Sequence, residues 1–357
     1  MQTRSFATLA ILFLLSTRLW GLELEPLKGA AASEHWDAPQ FIQADAHGNV
    51  YLLRGDTLQV YPVTKAHDLG EPVQLEMDVR SGVPLDAALS ASGSWVLNLG
   101  GKVRYFVDRR EKALPALGWS PVSVGFLRDD PVAMVVPRRW NAQDDDRRGP
   151  PLLLRPAHDT WSPEIREVLH GAPEDVNRER AYRAALVLDG REGRYLLARQ
   201  YAYRIELRRL GREQPLEELR LAKGEPVIKK SREADERRSL AEAKAAGTDV
   251  SHGKVSVFGG VYAILALVQR PGDRLYALVA PGTAGGKSCA LDRIDWEARR
   301  VERLALNLPC PGRVSMAAGR DGIYFAEFDG GEGRYFGSWA DLDAARWATV
   351  KQAEFLP

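Results

Sequence analysis

The sequence contains little cysteine, no excess of charge of one sign and only one long apolar run. Lysine and arginine number 49 against 48 aspartate and glutamate, so the formal net charge is +1. A chain without a basic excess provides no long-range field for nucleic acid or for an anionic membrane, and its basic residues are interleaved with acidic ones. We therefore expect no nucleic-acid partner.

The one long apolar run lies at the N-terminus, from Phe6 to Leu15, and follows Arg4. It is too short to cross a bilayer comfortably, and no second run of spanning length follows. This pattern is typical of a secretory signal peptide, which we favour over a membrane anchor. We expect residues 1–21 to be the signal, with cleavage after Leu19-Trp20-Gly21 or as late as Ala30-Ala31-Ala32. The mature chain would then be periplasmic or secreted, without a stable membrane span.

Only two cysteines are present, Cys289 and Cys310. In an exported protein an even pair favours a disulfide, and closing a loop of about 20 residues stabilises a fold by roughly 3 kcal/mol in the chain-entropy model. The alternative is two free buried thiols. Two cysteines without a nearby histidine pair are too few for a structural zinc site.

A repeated pattern organises the rest of the chain. The unit is an apolar run, a turn with Gly or Asp, and a second run rich in Val, Tyr and Leu, which is typical of a β-hairpin. The six copies are Phe41–Leu53, Leu85–Leu99, Val122–Val136, Tyr182–Arg199, Ala263–Val279 and Val314–Glu327. Most copies precede a third strand, and several precede a fourth, more polar one. This gradient from apolar inner strands to a charged outer strand is typical of the blades of a β-propeller.

Six hairpins predict an all-β fold, a six-bladed β-propeller formed by residues 22–357 as a single domain. A seventh blade stays open if the first or last unit is shared. Two stretches interrupt the repeat, at about 138–180 and 211–254, and we interpret both as insertions. We expect a short helix at Pro163–Leu169 in the first and a charged surface helix at Ser231–Ala246 in the second.

The blade turns also resemble those of known propellers. DAHGNVYLL at Asp45–Leu53 resembles the opening of an NHL-type repeat, and SASGSWVLNL and GRDGIYFAE are similar to turns of TolB-like six-bladed propellers. The resemblance implies a divergent six-bladed propeller over nearly the whole mature chain, with no specific family inside that group. It implies no single activity, because such propellers serve both as enzymes and as binding platforms.

No motif indicates a catalytic centre. The stretch Ala280–Ser288, APGTAGGKS, has Pro281 where a phosphate-binding loop needs a glycine amide. Asp144-Asp145-Asp146 matches no calcium loop, and the six histidines show no metal-ligand spacing. We therefore expect no cofactor.

The sequence thus favours an exported binding scaffold for a protein or polysaccharide partner. Trp140 and Trp161 are candidate partner-binding residues, because both lie in the first insertion, where blade packing does not require an aromatic. The alternative is a calcium-dependent hydrolase of the lactonase or esterase type, with its site at the mouth of the central channel. Only the resemblance in fold motivates that alternative.

Overall fold

Six antiparallel sheets follow one another along the chain in the computed structural model. The structure describes residues 21–77, 82–118, 121–127, 129–135, 152–166, 184–189, 193–199, 203–209, 212, 214–221, 241, 245, 264–270, 274–280, 288–308, 314–327 and 333–357. Each sheet is one blade of a ring, so the predicted all-β, six-bladed propeller is confirmed. The strands within the described residues form no seventh blade.

Each blade has four main strands, which follow one another from the centre of the ring outward. The strands of the first three blades are Gln40–Ala44, Val50–Arg54, Gln59–Pro62 and Val73–Gln74 in blade 1; Asp86–Leu89, Trp95–Asn98, Val103–Val107 and Arg110–Lys112 in blade 2; Pro121–Leu127, Asp130–Val135, Leu152–Ala157 and Thr160–Arg166 in blade 3. Those of the last three are Ala184–Asp189, Arg194–Arg199, Arg204–Arg209 and Glu217–Leu221 in blade 4; Ile264–Gln269, Leu275–Val279, Ala290–Asp295 and Arg300–Leu306 in blade 5; Val314–Ala318, Gly322–Glu327, Arg334–Ser338 and Glu25–Pro26 in blade 6.

The second strand of most blades is almost entirely buried, because both faces of a blade pack against its neighbours. Successive side chains of a strand point to opposite faces. In blade 1, Leu52 packs with Tyr324 of blade 6, whereas the next residue, Leu53, packs with Trp95 of blade 2. Both leucines are fully buried. The hydrophobic core is therefore a set of clusters between blades rather than one central mass.

The first and last described segments of the chain lie along the outer edges of the ring. Residues 21–38, the N-terminal strap, add Gly21–Leu22 to blade 5 and supply Glu25–Pro26 as the outer strand of blade 6. At the other end, Ala348–Thr349 pairs with blade 5 and Ala353–Leu356 with blade 4. A short helix, α1 (Trp339–Ala344), leads into this segment, and Ala30–Ala32 forms a 3-10 turn within the strap. These pairings cover sheet edges that would otherwise be open to another chain.

The first predicted insertion is in part ordinary blade structure. The helix expected at Pro163–Leu169 is wrong for residues 163–166, which belong to the outer strand of blade 3, where Pro163 pairs with Leu154 and Arg166 with Leu152. Proline is tolerated in an outermost strand because its missing amide is not needed by a further neighbour. Residues 167–169 lie outside the described part of the chain.

The second predicted insertion is described at few positions. Ala241 and Ala245 are helical and exposed, as the expected surface helix requires. The other residues of Ser231–Ala246 are not among those that the structure describes. In the described part of the chain, no helix has the length and apolar character needed to cross a membrane.

Candidate functional site: the loop face of the ring

The two ends of the ring differ in how the strands are connected. Strands within a blade alternate in direction, so the connections from first to second and from third to fourth strand share one end of the ring. We name this end the turn face. The connections from second to third strand, and from one blade to the next, share the opposite end, which we name the loop face.

Short turns make up most of the turn face, where the longest connection is residues 63–72, whereas the three longest connections of the ring belong to the loop face. The first and second strands of a blade are joined by residues 45–49, 90–94, 128–129, 190–193, 270–274 and 319–321. The longest connections on the loop face are residues 136–151, 167–183 and 222–263, of which the structure describes Ala241 and Ala245 alone. Binding residues are found disproportionately on loops held by a rigid scaffold, so the loop face is the candidate functional surface.

The turn at Asp45–Asn49, inside the first repeat, has a structural role on the turn face. The Asp45 carboxylate accepts hydrogen bonds from the backbone amides of His47 and Asn49 at 2.8 and 2.9 Å and from the Asn49 side-chain amide at 2.8 Å. Gly48 has φ of +75°, a conformation that favours glycine, and a Cβ there would come within 2.8 Å of the Arg320 amide. This arrangement agrees with the interpretation of Gly48-Asn49 as a backbone turn.

Neighbouring turns dock on one another at this face. The Arg320 amide of blade 6 donates to the Gly48 carbonyl of blade 1 at 2.9 Å. In the same way, the Ser92 amide of blade 2 donates to the Asp129 carboxylate of blade 3 at 3.3 Å. These polar groups join one blade to the next, so we do not propose a functional site on the turn face.

On the loop face, polar side chains at the ends of inner strands join one blade to the next. The Asp86 carboxylate of blade 2 accepts hydrogen bonds from the Ser123 hydroxyl at 2.7 Å and the Val124 amide at 2.9 Å, both in blade 3. The buried Asn98 amide of blade 2 donates to the Pro121 carbonyl at 3.0 Å. These groups therefore position the mouth of the central channel, and these hydrogen bonds go to protein partners.

A second polar group on this face surrounds Arg334, which is buried at the start of its strand in blade 6. Its guanidinium donates to the Gln40 side-chain oxygen of blade 1 at 2.7 Å and to the Ala32 carbonyl of the strap at 2.7 Å. The guanidinium carbon also lies 3.9 Å from the centre of the Trp36 ring, a cation–π arrangement. Arg334 thus holds together blade 6, blade 1 and the strap.

Glu327, at the end of the second strand of blade 6, is an acid on the loop face that is only partly exposed. Burial raises the pKa of its carboxyl, although the Gly333 amide and the Arg334 charge act in the opposite direction. A Cβ at position 333 would come within 2.3 Å of a Glu327 carboxylate oxygen, so only glycine fits there without a shift. The carboxyl is held against the backbone rather than extended into solvent.

The described residues assemble no metal centre. Among them, no three His, Cys, Asp or Glu side chains lie where together they could hold an ion. The convergence of acids that would favour the hydrolase alternative is therefore missing from this part of the molecule.

Apolar exposure also distinguishes the loop face. Val83 and Leu85, 43% and 44% exposed, are the large exposed hydrophobic residues among the described positions. Both lie in the connection between blades 1 and 2, and Leu85 directly precedes the inner strand of blade 2, at the channel mouth. They flank Pro84, which is itself buried.

The structure places the sequence-predicted residues in different environments. Trp161 lies in a strand rather than a loop, is 8% exposed, and donates its indole N–H to the Pro115 carbonyl at 2.8 Å. Its expected place on a partner-binding loop is therefore wrong, because it packs between blades 2 and 3. Trp140 lies outside the described residues.

The predicted disulfide is described at one of its two ends. Cys289 is 1% exposed, and its amide donates to the Leu308 carbonyl at 3.2 Å. Cys310 is not among the described residues, so the pairing stays a prediction.

Comparisons with known proteins concern the fold of this chain and indicate no function. No family model matches the chain, and no curated protein matches it. Solved structures with a similar fold include a catalytically inactive virginiamycin B lyase from Staphylococcus aureus with quinupristin, at 11% identity, covering 86% of this chain and 96% of that one, with a TM-score of 0.45.

Two further similar structures have other descriptions. A putative exported protein from Bacteroides fragilis is 8% identical, with 85% of this chain and 82% of that one covered and a TM-score of 0.48. YCF48 bound to D1 peptide is 11% identical, with 89% and 84% covered and a TM-score of 0.41. At these identities the likeness concerns the fold alone, and the assignment to six-bladed propellers rests on the sheets of this chain. The finer resemblance to NHL-type or TolB-like propellers stays a prediction.

Proposed function

We propose that the chain is an exported binding scaffold that receives a protein partner on its loop face. The observation that supports this proposal is the asymmetry of the ring: short turns make up most of one face, and the three longest connections leave from the other. Two exposed apolar side chains, Val83 and Leu85, lie beside the channel mouth on that same face. Apolar exposure rimmed by polar residues is a feature of protein-binding surfaces.

A polysaccharide partner is the second candidate and has less support. Sugar-binding surfaces need exposed aromatic faces, yet none of the described tryptophans is exposed. Trp36, Trp95, Trp161 and Trp339 are buried between blades or under the strap. The described surface thus favours a protein partner.

Site-specific photo-crosslinking tests the proposed face in the exporting cell. A photoreactive phenylalanine analogue replaces Leu85 on the loop face or, as the matched control, the exposed Ala91 on the turn face. We expect a discrete, protease-sensitive adduct from position 85 and not from position 91. Equal adducts from both positions, or none from position 85, would contradict the proposal.

We further propose that binding requires no resident cofactor. The hydrolase alternative requires calcium, which takes six to eight oxygen ligands. The melting temperature should then be the same, within about 1 °C, in excess calcium and in EDTA. A clear rise with calcium would instead support the hydrolase alternative.

The disulfide between Cys289 and Cys310 is also a proposal. Cys289 bonds through its backbone to Leu308, two positions before Cys310, so the described residues bring the two chain segments together. The intact mass should rise by about 2 Da on reduction, and alkylation should modify the protein only after reduction. Alkylation of both cysteines in the folded, unreduced protein would refute the pairing.

A further inference from the structure

The N-terminal strap is a structural part of the ring, and this bears on where the leader is removed. The carbonyl of Leu22 accepts a hydrogen bond from the Asn307 amide at 3.0 Å, which attaches the start of the strap to blade 5. The Leu27 amide donates to the Arg334 carbonyl at 2.8 Å, next to the strand Glu25–Pro26. Blade 6 therefore receives its outer strand from residues that precede blade 1 in the chain.

Side chains of the strap are buried as deeply as those of the blades. Leu24 and Leu27 are 7% and 6% exposed, and Leu24 packs so closely on Gly337 that a Cβ there would come within 2.9 Å of it. Ala32 is 8% exposed, and its carbonyl accepts from the buried Arg334 guanidinium. A chain that began after Ala32 would lack two core leucines, one strand and one acceptor of a buried charge.

These contacts separate the two cleavage sites that the sequence leaves open. A leader is removed before the chain folds, so burial in the folded protein does not protect a peptide bond from the peptidase. Burial matters because a chain shortened too far loses residues that the folded ring needs. Cleavage after Ala32 deletes the outer strand of blade 6, whereas cleavage after Gly21 deletes only the single residue that pairs with Ala305. A small residue before the cleaved bond is what a leader peptidase requires.

We propose that the leader is removed by hydrolysis of the Gly21–Leu22 peptide bond, so that the mature chain begins at Leu22 and keeps the whole remaining strap. The reaction consumes one water; the export peptidase breaks the amide bond, leaving a carboxylate on Gly21 and an amine on Leu22. This inference rests on the proposed export and is independent of the proposed partner.

The test uses the full chain, expressed in an exporting bacterial host and recovered from the periplasm. Intact mass and N-terminal sequencing should give Leu22 as the first residue. Two matched variants replace the small residues of each site. Gly21→Arg should abolish processing at Leu22 and leave a precursor, whereas Ala30→Arg, at an exposed position, should leave the N-terminus at Leu22.

Each other outcome overturns the inference in a distinguishable way. A periplasmic chain beginning at Ser33, or at any residue between Glu23 and Ser33, would show that export is right and the cleavage site wrong. An unprocessed wild-type chain retained in the cytoplasm would overturn the proposed export as well. Processing at Leu22 that persists in Gly21→Arg and is lost in Ala30→Arg would show that the small residue at position 21 does not determine the cleaved bond.

Discussion

Two junctions between blades each contain a buried guanidinium, but they hold it in different ways. At the closing junction, between blades 6 and 1, Arg334 donates to neutral oxygens of Gln40 and of the strap. At the junction between blades 4 and 5, Arg303 forms two bonds to the Asp292 carboxylate at 2.7 and 2.8 Å, and Tyr203 donates to that carboxylate at 2.7 Å.

The difference follows from how each pair of blades is connected. Blades 4 and 5 are consecutive in the chain, and Asp292 and Arg303 are paired within blade 5, so only the Tyr203 hydroxyl crosses to blade 4. Blades 6 and 1 are not consecutive, and Arg334 bonds to segments about three hundred positions away. One arginine stabilises a blade, and the other closes the ring. Substitutions at the two junctions should therefore differ in what they destabilise.

The largest effect is expected from Asp292→Ala. Removing the carboxylate takes away both hydrogen bonds from Arg303 and the one from Tyr203, and breaking a largely buried ion pair in this way costs about 3–5 kcal/mol. The free energy of unfolding, measured by urea titration, should fall by that amount. Arg220→Ala is the matched control, because Arg220 and Glu354 form an exposed pair between strands, where about 1 kcal/mol or less is expected. Equal losses in the two variants would contradict the assignment.

Arg334→Leu should have a somewhat smaller effect on stability but a distinct local one. The substitution leaves the Gln40 and Ala32 oxygens without this donor, at about 1–3 kcal/mol in total, and takes away the positive charge that acts on the Glu327 carboxyl. Since the guanidinium holds the strap, limited proteolysis should cut residues 21–38 faster in this variant. Asp292→Ala should not show that local cleavage at matched stability. Strap cleavage at the same rate in both variants would remove the distinction between the junctions.

The hydrogen bonds that cross each junction should differ in strength. The Ser315 hydroxyl of blade 6 accepts from the Ile42 amide of blade 1 at 2.9 Å, and Tyr203 of blade 4 donates to Asp292 of blade 5. Ser315→Ala should lower the free energy of unfolding by about 1–2 kcal/mol, because the hydroxyl also donates to the Ile42 carbonyl at 3.2 Å and both bonds are lost. Tyr203→Phe should lower it by about 1.5–3 kcal/mol, because the lost bond goes to a carboxylate. If Tyr203→Phe costs as much as Asp292→Ala, the energy of that junction lies in the crossing bond and not in the ion pair.

The blades could be predicted from the sequence because their signal is local. A turn such as Asp45–Asn49 and the apolar strand after it lie within a few residues, and both faces of that strand are buried. The outer strand of blade 6 has no such signal, because Glu25–Pro26 is two residues long and its partners are Tyr335 and Phe336. Its place depends on residues at the other end of the chain.

The prediction for Trp161 is wrong for a similar physical reason. The sequence pattern favours a loop around Trp161 because residues 136–151 separate the outer strands of blade 3 from its inner hairpin, which hides the repeat. Asp292 and Arg303 have charged neighbours in sequence, Arg293 and Glu302, as in a solvent-exposed outer strand, yet Asp292 is fully buried and bonded to Tyr203 of blade 4. The loop face itself is a property of connectivity, and it becomes visible once the order of strands in each blade is known.

The smallest expected effect is a difference between tyrosine variants at high pH. Burial, and then the nearby charge of Asp321, raises the pKa of Tyr324 at the closing junction from 10.0 to about 12, and burial and Asp292 raise the pKa of Tyr203 well above its ordinary value. A raised pKa means that the fold favours the neutral phenol, so this contribution to stability is complete below pH 10 and is lost as the pH rises through the folded-state pKa.

Between pH 10 and 12 the free energy of unfolding should fall less steeply in Tyr324→Phe and in Tyr203→Phe than in the wild type. The contribution of the other titrating groups is common to all three proteins and is subtracted. The contradicting result is a Tyr324→Phe variant whose free energy of unfolding falls with pH as steeply as that of the wild type, while Tyr203→Phe falls less steeply. Water would then reach the Tyr324 phenol at the closing junction, and Tyr203 would be the one buried phenol of the two.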